Sequence, residues 1–374
     1  MQNNQSSQNN STLISKARTF LRLIVFGIGL GIISGSVLQM LIMNKGKDPF
    51  AGRGYKQSLF NGSYPNQNKS PATFKRISKL NRSFTLKSTK GVEITSLSSQ
   101  WKKIASRKEG LQVSAFLHLI DQGSFAELSP DLILPAASSI KTAILVVTLK
   151  LIDAGELRWN EKLDLTKESI GSGAGWMAYQ KLGTKFPVHE VATEMIRVSD
   201  NTATNLLIKR IGGMNSLNQH FENLGLQATR INNLLPDLNG TNTTSTRDLV
   251  RTIKLVDQGK VLSPRTRDLF REVMSTSTSN RLLPAGILKG LGVSDMDPDY
   301  NLLIKGYRVF NKTGDIGIAY ADAGLIELPD SSRAIAGFIV KGPFNDPRSP
   351  NLIREMAAAM APVLTPKDPP KPSN

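Results

Sequence analysis

Ser138 and Lys141 stand three apart at the head of residues 135–149, PAASSIKTAILVVTL. If the apolar run is a helix that begins near Ser138, this spacing puts the amine one turn along, on the hydroxyl's face. A hydroxyl at a helix start lies beside backbone N–H groups without intrahelical partners, and an amine within reach can take its proton. The pair then holds the parts of an activated nucleophile. An isolated S-x-x-K is more often an N-cap beside a surface lysine, so the chemistry needs support from the rest of the chain.

Two further tripeptides supply it. Ser199-Asp200-Asn201 sits at a junction leading into an apolar helix, and Lys312-Thr313-Gly314 ends the strand-like run 307–311. Alone, the first reads as a cap and the second as a strand end. In this order, one opening a helix and the other closing a strand, the three form a specific combination. Other chemistries have little to work with. There is no cysteine, and His118, His189 and His220 lie far apart without ligand-like pairing, so no metal or cofactor is expected.

The elements that must position these groups follow a simple pattern. Residues 111–120 and 124–128 read as a strand, a turn and a return strand. Helical periodicity runs from about 163 to 256, broken at the glycine-rich stretches 171–175 and 211–213. Strand-like runs return at 307–311, 323–328 and 334–340, and a last helix is expected over 351–364. Strands at both ends and helices between predict an α/β (α+β) fold. Its antiparallel sheet is built from both chain ends, with flanking helices and an inserted all-helical lobe.

The stretch from about residue 96 to 364 resembles the class A β-lactamase family of penicillin-recognising serine hydrolases. Ser138/Lys141, Ser199-Asp200-Asn201 and Lys312-Thr313-Gly314 match its three motifs, and the flanks SDNTATNLL (199–207) and Ile211-Gly-Gly213 follow its wording. The resemblance implies Ser138 as the nucleophile and Lys141 as its base, a neutral amine whose pKa burial and a second cation, Lys312, would lower. Ser199 would pass a proton to the leaving nitrogen, and Asn201 would bind the substrate's side-chain amide. Lys312 and Thr313, with Gly314, would hold the substrate carboxylate. The backbone N–H groups of Ser138 and Asp315 would form the oxyanion hole. The implied partner is a β-lactam or a peptidoglycan-type, D-Ala-D-Ala-like acyl donor.

Two positions depart from the family's pattern. Its loop carries a glutamate that activates the deacylating water. The matching stretch here is Leu235-Pro-Asp-Leu-Asn239, with Leu235 in the glutamate's place and Asp237 two residues along. Leucine cannot take a proton, so slow release of the acyl group is expected, closer to a penicillin-binding D,D-peptidase than to a β-lactamase. A non-catalytic cell-wall-binding protein is the reading from another class, although a binder has no need of Ser138, Lys141 and Ser199 together. The second departure is Asp315, a carboxylate where the family has a small neutral or hydroxyl residue.

Charge and hydropathy organise the remainder. The net charge of +17 is concentrated in residues 1–92, which hold 14 Lys or Arg against one acidic residue, leaving 33 basic and 29 acidic residues elsewhere. The folded part is therefore not a basic nucleic-acid binder. Residues 1–22 read as a polar tail, and 23–43 carry no charge. As a helix those residues would be about 31 Å long, the thickness of a bilayer core, which predicts an uncleaved transmembrane anchor. Gly27, Gly31 and Gly35 line one face of it and could pair two anchors in a dimer. Residues 44–95 read as a basic flexible linker, 96–364 as the hydrolase domain and 365–374 as a proline-rich disordered tail. With the anchor, the family's substrates imply a single-pass membrane protein whose hydrolase domain is extracytoplasmic (periplasmic).

Overall fold

Runs rich in β-branched, aromatic and small apolar residues come from the two ends of the folded region and meet in one sheet. The computed structural model describes residues 91–293 and 297–365. The tail 1–22, the span 23–43, the linker as far as residue 90 and the tail from residue 366 lie outside the described residues. The early strands are β1 (Gln112–Leu119) and β2 (Phe125–Leu128). The late ones are β7 (Arg308–Asp315), β8 (Ala319–Glu327) and β9 (Arg333–Lys341). They pair antiparallel in the order β2-β1-β9-β8-β7, which leaves β7 at an edge. Two short ladders join β3 (Leu134–Pro135) to β6 (Thr243–Thr244) and β4 (Lys162–Asp164) to β5 (Lys185–Pro187).

The helices in chain order are α1 (Thr95–Ala105), α2 (Lys141–Asp153), α3 (Val188–Arg197), α4 (Asn201–Arg210), α5 (Gly213–Asn223), α6 (Thr246–Asp257), α7 (Pro264–Ser275), α8 (Leu283–Gly290), α9 (Pro298–Ile304), α10 (Arg348–Ala358) and α11 (Ala361–Leu364). On one face of the sheet Trp101 of α1 meets Phe338 of β9 edge to face, with ring centroids 5.6 Å apart, and Leu352 and Met356 of α10 join the same core. On the other face Leu249, Val250 and Ile253 of α6 pack against Leu325 and Ile339. The inserted lobe has its own core, in which Leu145 and Val146 of α2 lie among Met195, Leu207, Phe221 and Phe270. The expected architecture, a sheet from both ends with a helical insertion, is the one observed.

The sequence around Ser138 becomes intelligible here. A helix that is apolar all round is buried all round, and α2 buries every residue from Lys141 to Leu149. It is the axle of the lobe, which is why no polar stripe interrupts its sequence.

Several boundaries differ from the sequence-based expectations. A 3-10 turn (Ala137–Ile140) holds Ser138, and the α-helix starts only at Lys141. Lys312-Thr313-Gly314 lies inside β7, not beyond its end, because the ladder to β8 continues through Asp315 opposite Tyr320. The last helix divides into α10 and α11. The β4–β5 ladder interrupts the helical region. Ordered pairing begins before Ser96: the Phe125 N–H donates to the Val92 carbonyl at 3.0 Å, and the Ile94 N–H to the Phe125 carbonyl at 2.6 Å.

Candidate active site

Three elements converge on Ser138. The 3-10 turn presents it at the head of α2, where the first backbone N–H groups have no intrahelical acceptor. Ala137 just before it has φ +46°, a left-handed conformation that costs a residue with a β-carbon about 1–3 kcal/mol. β7 runs directly against this turn. A β-carbon on Gly314 would stand 2.7 Å from the Ser138 nitrogen, 2.9 Å from the Ser139 nitrogen and 2.8 Å from the Ala137 β-carbon. Only glycine lets the strand come so close.

That approach also sets up a pair of N–H donors. The Ile316 N–H donates inward to the Ala319 carbonyl at 3.2 Å. N–H groups alternate in direction along an antiparallel strand, so that of Asp315 points away from β8, to the open edge of the sheet. With the Ser138 nitrogen beside Gly314, the turn and the strand edge bring two N–H groups into one region, the kind of donor pair an oxyanion needs.

Lys141 joins the first motif to the second. It is fully buried, and its Nζ contacts the Ser199 carbonyl at 2.6 Å, the Ser199 Oγ at 3.0 Å and the Asn201 Oδ1 at 2.9 Å. Burial, and then the charge of Lys312, hold its pKa well below the ordinary lysine range, while Asp200 opposes the shift. A neutral amine has two N–H donors and one lone pair. Of the three partners only the Ser199 hydroxyl has a proton of its own, so this contact can carry a proton in either direction.

The loop carrying Ser199 is held from several sides. Ser199 has φ +61°. Next to it Asp200 caps α4 by accepting the Ala203 N–H at 2.9 Å, and its other oxygen accepts the N–H groups of Trp176 (2.7 Å) and Met177 (2.9 Å). Glu194 accepts from the Trp176 Nε1 at 2.7 Å and pairs with Arg197, tying the same loop to α3. Gly175, at φ +99°, passes so close to the Asp200 carboxylate that a β-carbon would collide with it. Asn201 has both ends of its amide engaged, since Nδ2 donates to the Ser172 carbonyl at 2.8 Å while Oδ1 takes Lys141.

The third motif supplies a second buried amine. Lys312 is fully buried in β7, and its Nζ donates to the Thr313 carbonyl at 2.8 Å. Burial pulls its pKa down to about 8, with Asp322 pulling the other way. Burial in turn pushes the Asp322 carboxyl up to about 7. The Asn311 Nδ2 donates to both of its oxygens, at 2.8 and 3.0 Å, and the Leu283 N–H to one at 2.8 Å, which fastens the head of α8 to β7 and β8. Thr313 is half-buried and Asp315 exposed.

Leu235 sits in the wall beside Asn201. It is 4% exposed and belongs to the lobe core. Asn205 grips its backbone at both ends: the Leu235 N–H donates to Oδ1 at 2.9 Å, and Nδ2 donates to the Leu235 carbonyl at 2.7 Å. The peptide bond to Pro236 is cis. A β-carbon on Gly171 would meet the Leu235 carbonyl, the Asn201 β-carbon (2.9 Å) and the Asn205 Nδ2 (3.0 Å), so loop, helix and glycine-rich segment touch here. Asp237 turns into its own loop, where it accepts the Asn242 N–H at 2.6 Å and the Thr241 hydroxyl at 2.9 Å.

All three motifs therefore meet: Ser138 against Gly314, Lys141 against Ser199 and Asn201, and Lys312 close enough for its charge to reach Lys141. Sequence reasoning missed the supporting groups Glu194, Asn205, Asn311 and Asp322. Nothing in the sequence marks them, because each acts on a partner far along the chain or across a strand pair. Asp200 was legible only as a cap, which is half of what it does.

Comparison with known proteins agrees with this geometry. A sequence profile described as the beta-lactamase enzyme family matches residues 96–363. A β-lactamase of Streptomyces albus G is 26% identical over 193 residues, covering 48% of this chain and 62% of that protein. Beta-lactamase 3 of Bacillus cereus is 27% identical over 143 residues, 36% of this chain and 45% of its own length. This chain thus spans about half the length of such curated relatives. Among solved structures, PBP-A is 39% identical with a TM-score of 0.68, covering 74% of this chain and 98% of that one. A Leu→Glu mutant of PBP-A, also with a TM-score of 0.68 and the same coverage, was solved as an acyl-enzyme complex with penicillin G at 38% identity.

Proposed function

The chain belongs to the beta-lactamase enzyme family, and from that premise we propose that it is a membrane-tethered serine hydrolase, acylated at Ser138 by β-lactams or D-Ala-D-Ala-like donors and slow to release the acyl group. One observation carries the reading: the dry Lys141 amine, depressed in pKa, lies 3.0 Å from the Ser199 hydroxyl one turn from Ser138.

In the first step the Lys141 lone pair takes the Ser138 hydroxyl proton, and Oγ forms a bond to the donor's carbonyl carbon. The carbonyl electron pair moves to oxygen, facing the Ser138 and Asp315 N–H groups. Removing one donor of such a hole typically costs about 2.7–4 kcal/mol. Collapse breaks the C–N bond, and the leaving nitrogen takes the Ser199 proton, which Lys141 replaces. The product is an ester on Ser138. Asn201, Lys312, Thr313 and Gly314 hold the donor.

Hydrolysis of that ester needs a base for water. Leu235 has no group that can accept a proton, and Asp237 is committed to Thr241 and Asn242. Slow deacylation is therefore part of the proposal, and it favours a penicillin-binding peptidase over a fast β-lactamase. The same Leu235 is what a wall-binding protein would tolerate, yet such a protein gains nothing from the Lys141–Ser199 contact. Placement at a membrane, with the domain outside the cytoplasm, rests on residues 23–43 and on the substrate class. Among the described residues no helix is long and apolar enough to cross a membrane.

The experiment is to mix the purified full chain with penicillin G and follow its intact mass. A stable gain equal to the penicillin mass, abolished in Ser138→Ala, is expected. Fast turnover without accumulation would contradict slow release, and no adduct at all would overturn the acyl-transfer reading.

A further inference from the structure

The strand bearing Lys312, Thr313 and Gly314 ends on a carboxylate. Side chains alternate along β7. Gly314 turns toward Ser138, so Thr313 and Asp315 share the opposite face, two positions apart and roughly 7 Å from each other along the strand. Asp315 is exposed, and its Oδ1 accepts the Gly317 N–H at 2.8 Å, which folds the β7–β8 turn back onto the side chain and fixes its direction. Across the ladder it faces Tyr320, whose hydroxyl pKa is raised first by burial and then by the charges of Asp315 and Asp346. Asp346 is paired with Arg348 at 2.6 Å, whereas Asp315 has no ion pair among the described residues. The Lys312 amine donates to the Thr313 carbonyl and makes no ion pair with Asp315 among the described residues.

We propose that Asp315 determines specificity, setting the site against acyl donors with a free carboxylate beside the leaving nitrogen and favouring donors that are neutral or cationic there. The inference rests on the acyl-transfer reading above and adds the chemical class of its substrate. Among D-Ala-D-Ala-like donors, those whose terminal carboxylate is capped as an amide or ester would be preferred to the free acid. A donor whose carboxylate comes to Thr313 brings a second negative charge near Asp315. Two like charges about 7 Å apart repel by an amount equivalent to roughly threefold in rate in bulk water and roughly fiftyfold at the effective dielectric of a protein surface. The repulsion is screened by salt, because the group is exposed.

The test measures second-order acylation rates by intact mass for penicillin G, which carries the carboxylate, and for its methyl ester, which does not. The full-length wild type is compared with Asp315→Asn and Asp315→Ser at low and high ionic strength. The asparagine keeps an acceptor for the Gly317 N–H, and the serine checks the result with a different side chain. The ratio of free-acid to ester rate is expected to rise about tenfold in both variants, with the rise shrinking at high salt. If adducts form and the ratio is unchanged, Asp315 does not select by charge and only this inference falls. If neither donor modifies any of the three proteins, the acyl-transfer reading falls and takes this one with it.

Discussion

An ammonium sealed away from water loses its hydration without losing its chemistry, and two such groups, Lys141 and Lys312, stand within electrostatic reach of each other. The charge of Lys312 makes the Lys141 proton harder to keep, beyond what burial already does. Lys141, held well below the ordinary lysine range, is the base of the proposed mechanism, while burial pulls Lys312 down to about 8. The sign for catalysis follows. Above about pH 8 Lys312 becomes neutral and no longer attracts an anionic donor, so acylation by penicillin G should fall as pH rises through that value. A rate–pH profile of adduct formation checks this, and a rate that holds steady through pH 9.5 would assign the carboxylate to another group. For stability the sign is opposite. Between about 8 and 10.5 the unfolded chain holds a proton on Lys312 that the folded chain has released, so this group's contribution makes the fold more stable as pH rises across that window.

At the scale of elements, the site is the contact between one edge strand and one helix start. Gly314 sets that distance. Gly314→Ala would force its β-carbon into the Ser138 and Ser139 nitrogens, at 2.7 and 2.9 Å, and neither backbone atom can move without shifting α2. We expect a loss of about 1–3 kcal/mol in denaturant unfolding and roughly a hundredfold slower acylation, since displacement of a nucleophile by about 1 Å has that effect. Wild-type acylation in this variant would mean that the close approach is not required. The same contact shows how far the sequence could be read. The helix from Lys141 to Leu149 is legible because a continuous apolar run after a small-residue turn buries on all sides, whereas the 3-10 turn that holds Ser138 is not. The β1–β2 hairpin is legible from its apolar run and its turn. That Lys312-Thr313-Gly314 lies inside β7 was not, because strand length there is set by pairing with β8, and a sequence carries no register. The grip of Asn205 on Leu235 spans 30 residues and the bond from Trp176 to Asp200 spans 24, so neither leaves a periodic trace.

At the scale of the whole molecule, charge divides the chain. Residues 1–92 carry a net +13 and the remainder a net +4. This places the basic excess on the proposed tether and leaves the remainder of the chain close to charge balance. A chain truncated before Gly91 should stay soluble on membrane fractionation and still form the penicillin adduct, while the full chain sediments with the membrane. A full chain that remains in the soluble fraction would remove the anchor. In the proposed reading Ser138 has what it needs to become acylated, while Leu235, buried in the lobe core, takes the place of the base that would activate water. The direct measurement is the lifetime of the penicillin G adduct in the wild type and in Leu235→Glu. A carboxylate there would cost stability, because Leu235 is 4% exposed in an apolar core. It should nonetheless shorten the adduct's lifetime by about 10²- to 10⁴-fold, the range of a general base. An adduct that lasts equally long in both proteins would contradict the account.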